Sequence, residues 1–397
     1  MAGTIRLALV GCGGIARAHL EGYGKVHEQE PDLFRFVAFC DEDASRAEAF
    51  AQKVEEVAGY RPRVYTDHRE MLAQEELDGV DVCTPHHLHH VVAGDCLEAG
   101  AYVMVEKPIG LTVAATKRIM EAARRAGKWV ATAENVRRGP SQRAARWAIQ
   151  EKGLLGEMRF FFAQYAGWRA HKVGPWHWRA DLDLSGGGLL YDSGAHFCDT
   201  VRFLFGDVES VYARVHRFEQ HPLKKGEELV EDEREDFFQV LLNFASGLWG
   251  TWSWTHSAPS HEARMVVYYG SEGALVDYGD VFHGPFGNAE WKLKDGAVIP
   301  MAQVIEDYYR AIGPQEKERL FPYGWTNGIW LEVYDFLRAI RDGRLPEVPV
   351  EEGLKAKAIA LAAYESSTLG EVVRVEDVLE GKVAVYQRRM NARWGLE

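Results

Sequence analysis

The 397-residue sequence is sparing with several features that would fix a protein's class at once. It has five cysteines, Cys12, Cys40, Cys83, Cys96 and Cys198, and none stands in a C-x-x-C pair or at zinc-ligand spacing. Neither a disulfide scaffold nor a structural metal site is therefore expected, and the thiols read as reduced and mostly buried in a cytoplasmic protein. No apolar run approaches a membrane span, and Ile5 to Val10 is too short for a signal core. Positive charge is in deficit. The 46 basic against 59 acidic side chains give −13, which removes long-range attraction to nucleic acid or an anionic membrane. Internal repeats and low-complexity tracts are absent as well.

What is present describes a folded protein, with 47% apolar and 26% charged residues in a chain too long for one ordinary core. Up to about residue 135, short apolar runs (Ile5 to Val10, Phe34 to Cys40, Val80 to Thr84, Tyr102 to Glu106, Trp129 to Ala133) alternate with helix-like segments. One of these is Ser45 to Val57, with Ser45 placed to cap it. This alternation predicts an α/β Rossmann domain, a doubly wound parallel sheet, over 1–135. From residue 136 to 397 long strand candidates dominate, among them Glu157 to Tyr165, Asp236 to Phe244 and Leu248 to His256. They predict an α+β domain on a large, mainly antiparallel open sheet. Glu219 to Glu233 and Asp280 to Leu320 read as inserted stretches.

Three motifs carry chemistry. Gly11-Cys12-Gly13-Gly14-Ile15-Ala16, between a strand and a helix, matches the dinucleotide fingerprint. Gly11 permits the turn, Gly13 lets backbone approach a pyrophosphate, Gly14 and Ile15 open the helix with free N–H groups, and Ala16 allows close packing. Asp41, ending the second strand and followed by Glu42 and Asp43, suits ribose hydroxyls and repels a 2′-phosphate, so NAD is expected over NADP. In Glu106-Lys107-Pro108, a buried strand stops at an acid, a base and a proline, where ligands of such sheets bind. In Gly186-Gly187-Gly188 through Asp192 to His196, a helical reading puts the acid and the histidine on one face, and the triplet allows something bulky to approach. Taken alone, the Glu106-Lys107 pair fits a solvated strand end as well, and an acid beside a histidine more often fits a structural pair.

In this order the motifs resemble the Gfo/Idh/MocA family, the glucose-fructose oxidoreductase and inositol dehydrogenase group. Thr84-Pro85 with His89, Trp178-Arg179 and Tyr364-Glu365-Ser366 add to the likeness, which covers nearly the whole chain. The resemblance implies a nicotinamide oxidoreductase of sugars or polyols, with Lys107, Asp192 and His196 lining the hydride-transfer site. It further implies a Lys107-Pro108 cis bond, and an outer sheet face that makes a homo-oligomer, dimer or tetramer. Thr84, Pro85, His86, His89, Glu106 and Lys107 are then expected on the cofactor side. His86 departs from the family, which usually has Asn there, and the histidines of Pro85-His86-His87-Leu88-His89-His90 are not read as a metal site. Trp168, Arg169, His171, Trp176, His177, Trp178 and Arg179 suit a sugar-binding wall. Trp252 and Trp254 suit sheet packing or a dimer contact.

The chemistry agrees without the family. Oxidising a secondary alcohol needs a base such as His196, a cation such as Lys107 to steady the alkoxide, and an acid such as Asp192 to orient them. Two competing readings are a glycoside hydrolase that works by transient oxidation with NAD, and a non-enzymatic dinucleotide sensor.

Overall fold

Strand β1 (Ile5–Val10) runs through the centre of the first unit, and all its residues but Arg6 are buried because helices cover both faces of its sheet. The chain continues through α1 (Gly14–Gln29), β2 (Phe34–Cys40), α2 (Ala44–Ala58), β3 (Arg63–Tyr65), α3 (His68–Gln74), β4 (Gly79–Val82), α4 (His89–Glu98), β5 (Tyr102–Glu106), α5 (Val113–Ala126) and β6 (Val130–Ala133). All pairings are parallel, in the order β3-β2-β1-β4-β5-β6. The order reverses between β1 and β4, which opens a crevice at the carboxyl ends of the strands. The computed structural model describes residues 3–170 and 173–396.

Caps set the helix starts. The cap of α2 is Asp43, not Ser45: the helix begins at Ala44, and the Asp43 carboxylate accepts from the Ser45 amide at 3.0 Å. Thr112 caps α5 by accepting from the Ala115 amide at 3.1 Å.

The first unit also includes residues 323–354, which the sequence reading had assigned to the second domain. Helix Gly328–Asp342 buries Val333, Phe336, Leu337 and Ile340. It fits against α1 because Gly22 has no side chain, and a Cβ there would stand 3.0 Å from Val333. Tyr323 and Tyr334 both donate to Glu30 at the end of α1, at 2.9 and 2.7 Å. An amphipathic helix read alone does not reveal which sheet it covers.

The second unit comprises residues 136–322 and 355–397. Its nine-stranded sheet is antiparallel except for the parallel pairing of Met158–Ala166 with Trp249–Thr255. The stretch from Asp280 to Leu320 is built into this unit: Glu290–Leu293 and Val298–Pro300 extend the sheet, and Met301–Leu320 is helical with a break at Gly313. Within Glu219 to Glu233, Pro222–Lys225 and Glu228–Glu231 form a hairpin that pairs with Gly174–Pro175.

Side-chain parity along Trp249–Thr255 assigns its tryptophans. Trp252 and Trp254 are buried, and Trp252 stacks on Phe197 of helix Gly194–Phe205 with ring centroids 4.3 Å apart. Trp249 has the opposite parity, is 45% exposed, and stacks on Phe160 on the outer face. Trp252 and Trp254 are therefore sheet packing, and the outer aromatic is Trp249. All five cysteines are free and buried.

Candidate active site

The first unit carries the dinucleotide motif. Gly11 has φ +93°, and a Cβ there would lie 2.7 Å from the backbone of Cys83 and Thr84, so only glycine lets the β1 turn pass the end of β4. Around Gly13 and Gly14 no atom lies within 4 Å of the Cβ positions, which leaves an open cradle at the head of α1. Buried Ala16 keeps that helix close to the sheet. The Asp41 carboxylate accepts from the Cys12 amide at 2.7 Å and the Asp43 amide at 3.0 Å, tying the end of β2 to the glycine turn. Arg46 pairs with Asp43 at 3.3 Å. The cradle, the turn and the acid at the end of β2 fit a bound NAD.

Thr84 and Pro85 follow β4, and the Thr84 hydroxyl is buried without a hydrogen-bond partner. His86 is buried in the 3-10 turn that leads into α4. His89 is fully buried, with ring nitrogens 2.8 Å from the Thr84 carbonyl and 3.2 Å from the Pro108 carbonyl. Burial and the adjoining His86 hold its pKa down to about 3, so the ring is neutral. The neutral ring donates to one of the two carbonyls and packs between the end of β4 and the turn after β5. Lys107 follows β5, and its bond to Pro108 is cis, as the resemblance implies.

Glu106 turns beneath the sheet toward α1. Its carboxylate meets His19 Nε2 at 2.9 Å, while His19 Nδ1 meets Asp81 at 2.8 Å and Tyr23 donates to Asp81 at 3.1 Å. Burial opposes a charge on His19, but Cys83 and Asp81 outweigh it, and the pKa is raised well above the ordinary histidine value. Since the Cys83 thiol is itself pushed well up by burial and stays neutral, the acids are what hold the proton. The sequence reading did not single out His19, although its place on α1 was a signal: it lies on the buried face with Ala16, Gly22, Tyr23 and Val26.

The second unit carries Asp192 and His196. Helix Gly194–Phe205 begins two residues after Asp192, so the acid stands in the turn before the helix and not on its face with His196. Asp192 accepts from Arg179 Nε at 2.9 Å, and the Arg179 guanidinium lies 4.3 Å from the centre of the Trp178 ring. The structure thus brings Trp178, Arg179 and Asp192 together. Trp168 is exposed and bridges to Ser257, while the Arg169 amide donates to the His256 carbonyl. Trp176 lies under Lys225, and the His177 pKa is lowered by burial and by Arg234. His171 lies outside the described residues.

The glycine triplet serves the protein's own side chains. A Cβ on Gly188 would meet the Glu235 carboxylate at 2.6 Å, and one on Gly187 the Tyr364 hydroxyl at 2.4 Å. Glu235 accepts from the Gly188 and Leu190 amides and from the Tyr364 hydroxyl, each at 2.9 Å. This half-buried acid therefore sets the course of the chain into Asp192.

His196 is buried, and its ring centre is 5.0 Å from that of His283. His283 pairs with Asp280 at 2.9 Å. Neither residue was singled out in the sequence, where the local signal was only an acid three positions before a histidine in a Gly- and aromatic-rich stretch. Among the described residues, the groups with metal-like spacing surround His19, and the histidines at 86–90 are not among them.

A parallel sheet reversing at a glycine cradle, followed by an open-sheet unit with an acid and a buried histidine, defines a two-domain nicotinamide oxidoreductase. The family model described as oxidoreductase family, NAD-binding Rossmann fold, matches residues 5–134, and the GFO/IDH/MocA C-terminal domain matches 143–276. The chain belongs to the Gfo/Idh/MocA family, its cofactor is NAD, and it is an oxidoreductase. It is 26% identical to D-apiose dehydrogenase of Paraburkholderia graminis, over 94% of this chain and 90% of the relative. To levoglucosan dehydrogenase of Pseudarthrobacter phenanthrenivorans it is 25% identical, over 79% and 84%. An NAD-binding oxidoreductase structure from Klebsiella pneumoniae matches with TM-score 0.75 and 25% identity, over 94% of this chain and 99% of that one. No described helix is long and apolar enough to cross a membrane.

Proposed function

We propose that the protein transfers hydride between NAD and a secondary alcohol, or its ketone, of a sugar, inositol or related polyol. Relatives named for apiose and levoglucosan support the substrate class. The observation that carries the reading is the segment from Asp192 to His196, with its acid paired to Arg179 and its histidine buried at the head of a helix seated on Trp252. NAD, when bound, supplies the hydride acceptor. The chain handles the proton: His196 takes it from the substrate hydroxyl, and the Lys107 ammonium hydrogen-bonds the same oxygen as it gains charge. Asp192 orients the pair. Trp178 and Arg179, with Trp168 and Arg169, form the wall against the sugar, and Asp41 takes the ribose hydroxyls.

The test is NADH formation from levoglucosan, D-apiose and myo-inositol, followed by variants on whichever is oxidised. Lys107→Ala and His196→Ala should each lower turnover by about a hundredfold or more with NAD affinity little changed, as loss of an oxyanion donor or a base does. Near wild-type rates in both would sink the assignment. Cleavage of an aryl glycoside without net NADH would sink the reaction type.

The outer sheet face, with Phe160, Phe162 and Tyr269 clustered on it and exposed Trp249 stacked on Phe160, supports a homo-oligomer, since a wide apolar face is rarely left wet. Light scattering on the wild type and Trp249→Glu checks this, and a wild-type monomer at micromolar concentration would refute it. The free, buried cysteines support a cytoplasmic location.

A further inference from the structure

If His196 accepts the substrate proton, as just proposed, the proton must leave before the next turnover, and His196 is only 6% exposed. The ring beside it is His283, 5.0 Å away centre to centre, a distance that a direct hydrogen bond or one water spans. The side chain of His283 is 37% exposed, so it reaches solvent where His196 does not.

The loop that carries His283 is fixed from three sides. The Asp280 carboxylate accepts from the Phe282 amide at 2.7 Å and the His283 amide at 2.9 Å. Gln142 Nε2 donates to the His283 carbonyl at 3.1 Å and the Pro285 carbonyl at 3.0 Å. Trp252 Nε1 donates to the Val281 carbonyl at 3.1 Å, and the same indole stacks on Phe197, the neighbour of His196. One tryptophan therefore positions both histidines.

Asp280 also sets the tautomer. Its carboxylate lies 2.9 Å from His283 Nδ1, so that nitrogen carries the hydrogen and Nε2 keeps the lone pair. A second proton on Nε2 makes an imidazolium that the carboxylate steadies, the same division of labour as the acid behind a catalytic histidine. Around this pair, Asp277 and Tyr268 on the neighbouring strands act on Asp280 or respond to it, and His196 faces it from helix Gly194–Phe205. Burial pushes the Asp277 carboxyl up to about 6.

We propose that His283, oriented by Asp280, relays the proton from His196 to solvent. In the oxidation direction the substrate O–H breaks as an N–H forms on His196. That N–H then breaks as one forms on His283 Nε2, and water takes the proton. The net reaction is alcohol plus NAD⁺ giving ketone, NADH and H⁺. Reduction runs the same path inward.

The experiment has two arms. Without substrate, nitrogen-15 spectra of the histidine rings in the NAD-bound protein should show His283 as the Nδ1–H tautomer, and Asp280→Asn should abolish that preference. With levoglucosan, or whichever panel compound is oxidised, His283→Ala should leave the first turnover of NADH near the wild-type rate. Its steady-state turnover and dye-detected proton release should slow roughly tenfold or more, and added imidazole should restore both. His283→Gln serves if the alanine variant folds poorly. A His283 ring in the Nε2–H tautomer overturns the relay, as does a first turnover slowed as much as in His196→Ala, or a steady-state rate unchanged by either His283 variant. Wild-type activity in His196→Ala would instead overturn the proposed function beneath it.

Discussion

Replacing His19 by alanine is the sharpest test of how the first unit is held together. The ring is fully buried, with its two nitrogens 2.8 Å from Asp81 and 2.9 Å from Glu106, and Glu332 stands 3.5 Å away. Removing it leaves acids facing one another in a dry interior without their cation. Breaking such a buried pair costs about 3–5 kcal/mol, a large part of the roughly 5–15 kcal/mol that stabilises a domain. For a unit of this size each kcal/mol lowers the melting temperature by about 2–4 °C, so a fall of roughly 10 °C is expected. Urea and thermal unfolding followed by circular dichroism measure it, and a loss below about 1 kcal/mol would refute the reasoning.

The pH dependence gives a second check on the same cluster. The folded pKa of His19 is raised, so its contribution is fully present below the unfolded value of about 6.5 and is lost as pH rises through the folded value. Wild-type stability should therefore decline as the solution is made alkaline, and His19→Ala should lack that step. Turnover should fall as well, because Glu106 immediately precedes Lys107 and loses the partner that fixes it.

Two further outcomes are expected. Asp41→Ala removes the acceptor of the Cys12 and Asp43 amides, which either cofactor would feel, and the carboxylate proposed for the ribose hydroxyls, which only NAD uses, so NAD affinity should fall by about tenfold or more and further than NADP affinity; fluorescence titration of both cofactors measures this, and an equal loss for the two would argue that Asp41 only braces the glycine turn. Glu235→Ala strips three donors of their acceptor and should cost about 1–3 kcal/mol. It should also lower kcat, because the course of the chain into Asp192 is set there; unchanged kcat and stability would show that the triplet holds its shape unaided.

The features legible in the sequence are those in which near neighbours decide the outcome. β1, the turn at Gly11 and the helix after Ala16 follow from a strand pattern, a residue that tolerates positive φ, and a small side chain within one short stretch. Lys107 at the end of β5 follows from an apolar run that stops at charged residues. What was missed depends on pairings across the chain. Whether Trp252 or Trp249 faces the helices turns on strand parity, and both parities carry aromatics, so alternation alone cannot choose the buried side. The glycine triplet announced a close approach, but an equally close approach is made by a ligand or by Glu235 and Tyr364, and only the fold distinguishes them. Asp280 and His283 form a local turn that any surface loop can contain. Their place beside His196 depends on a different element, and Gln142 and Trp252 anchor the loop from two others. Local physics thus places the glycine turn and Lys107, whereas the surroundings of His196 are defined by packing between distant segments.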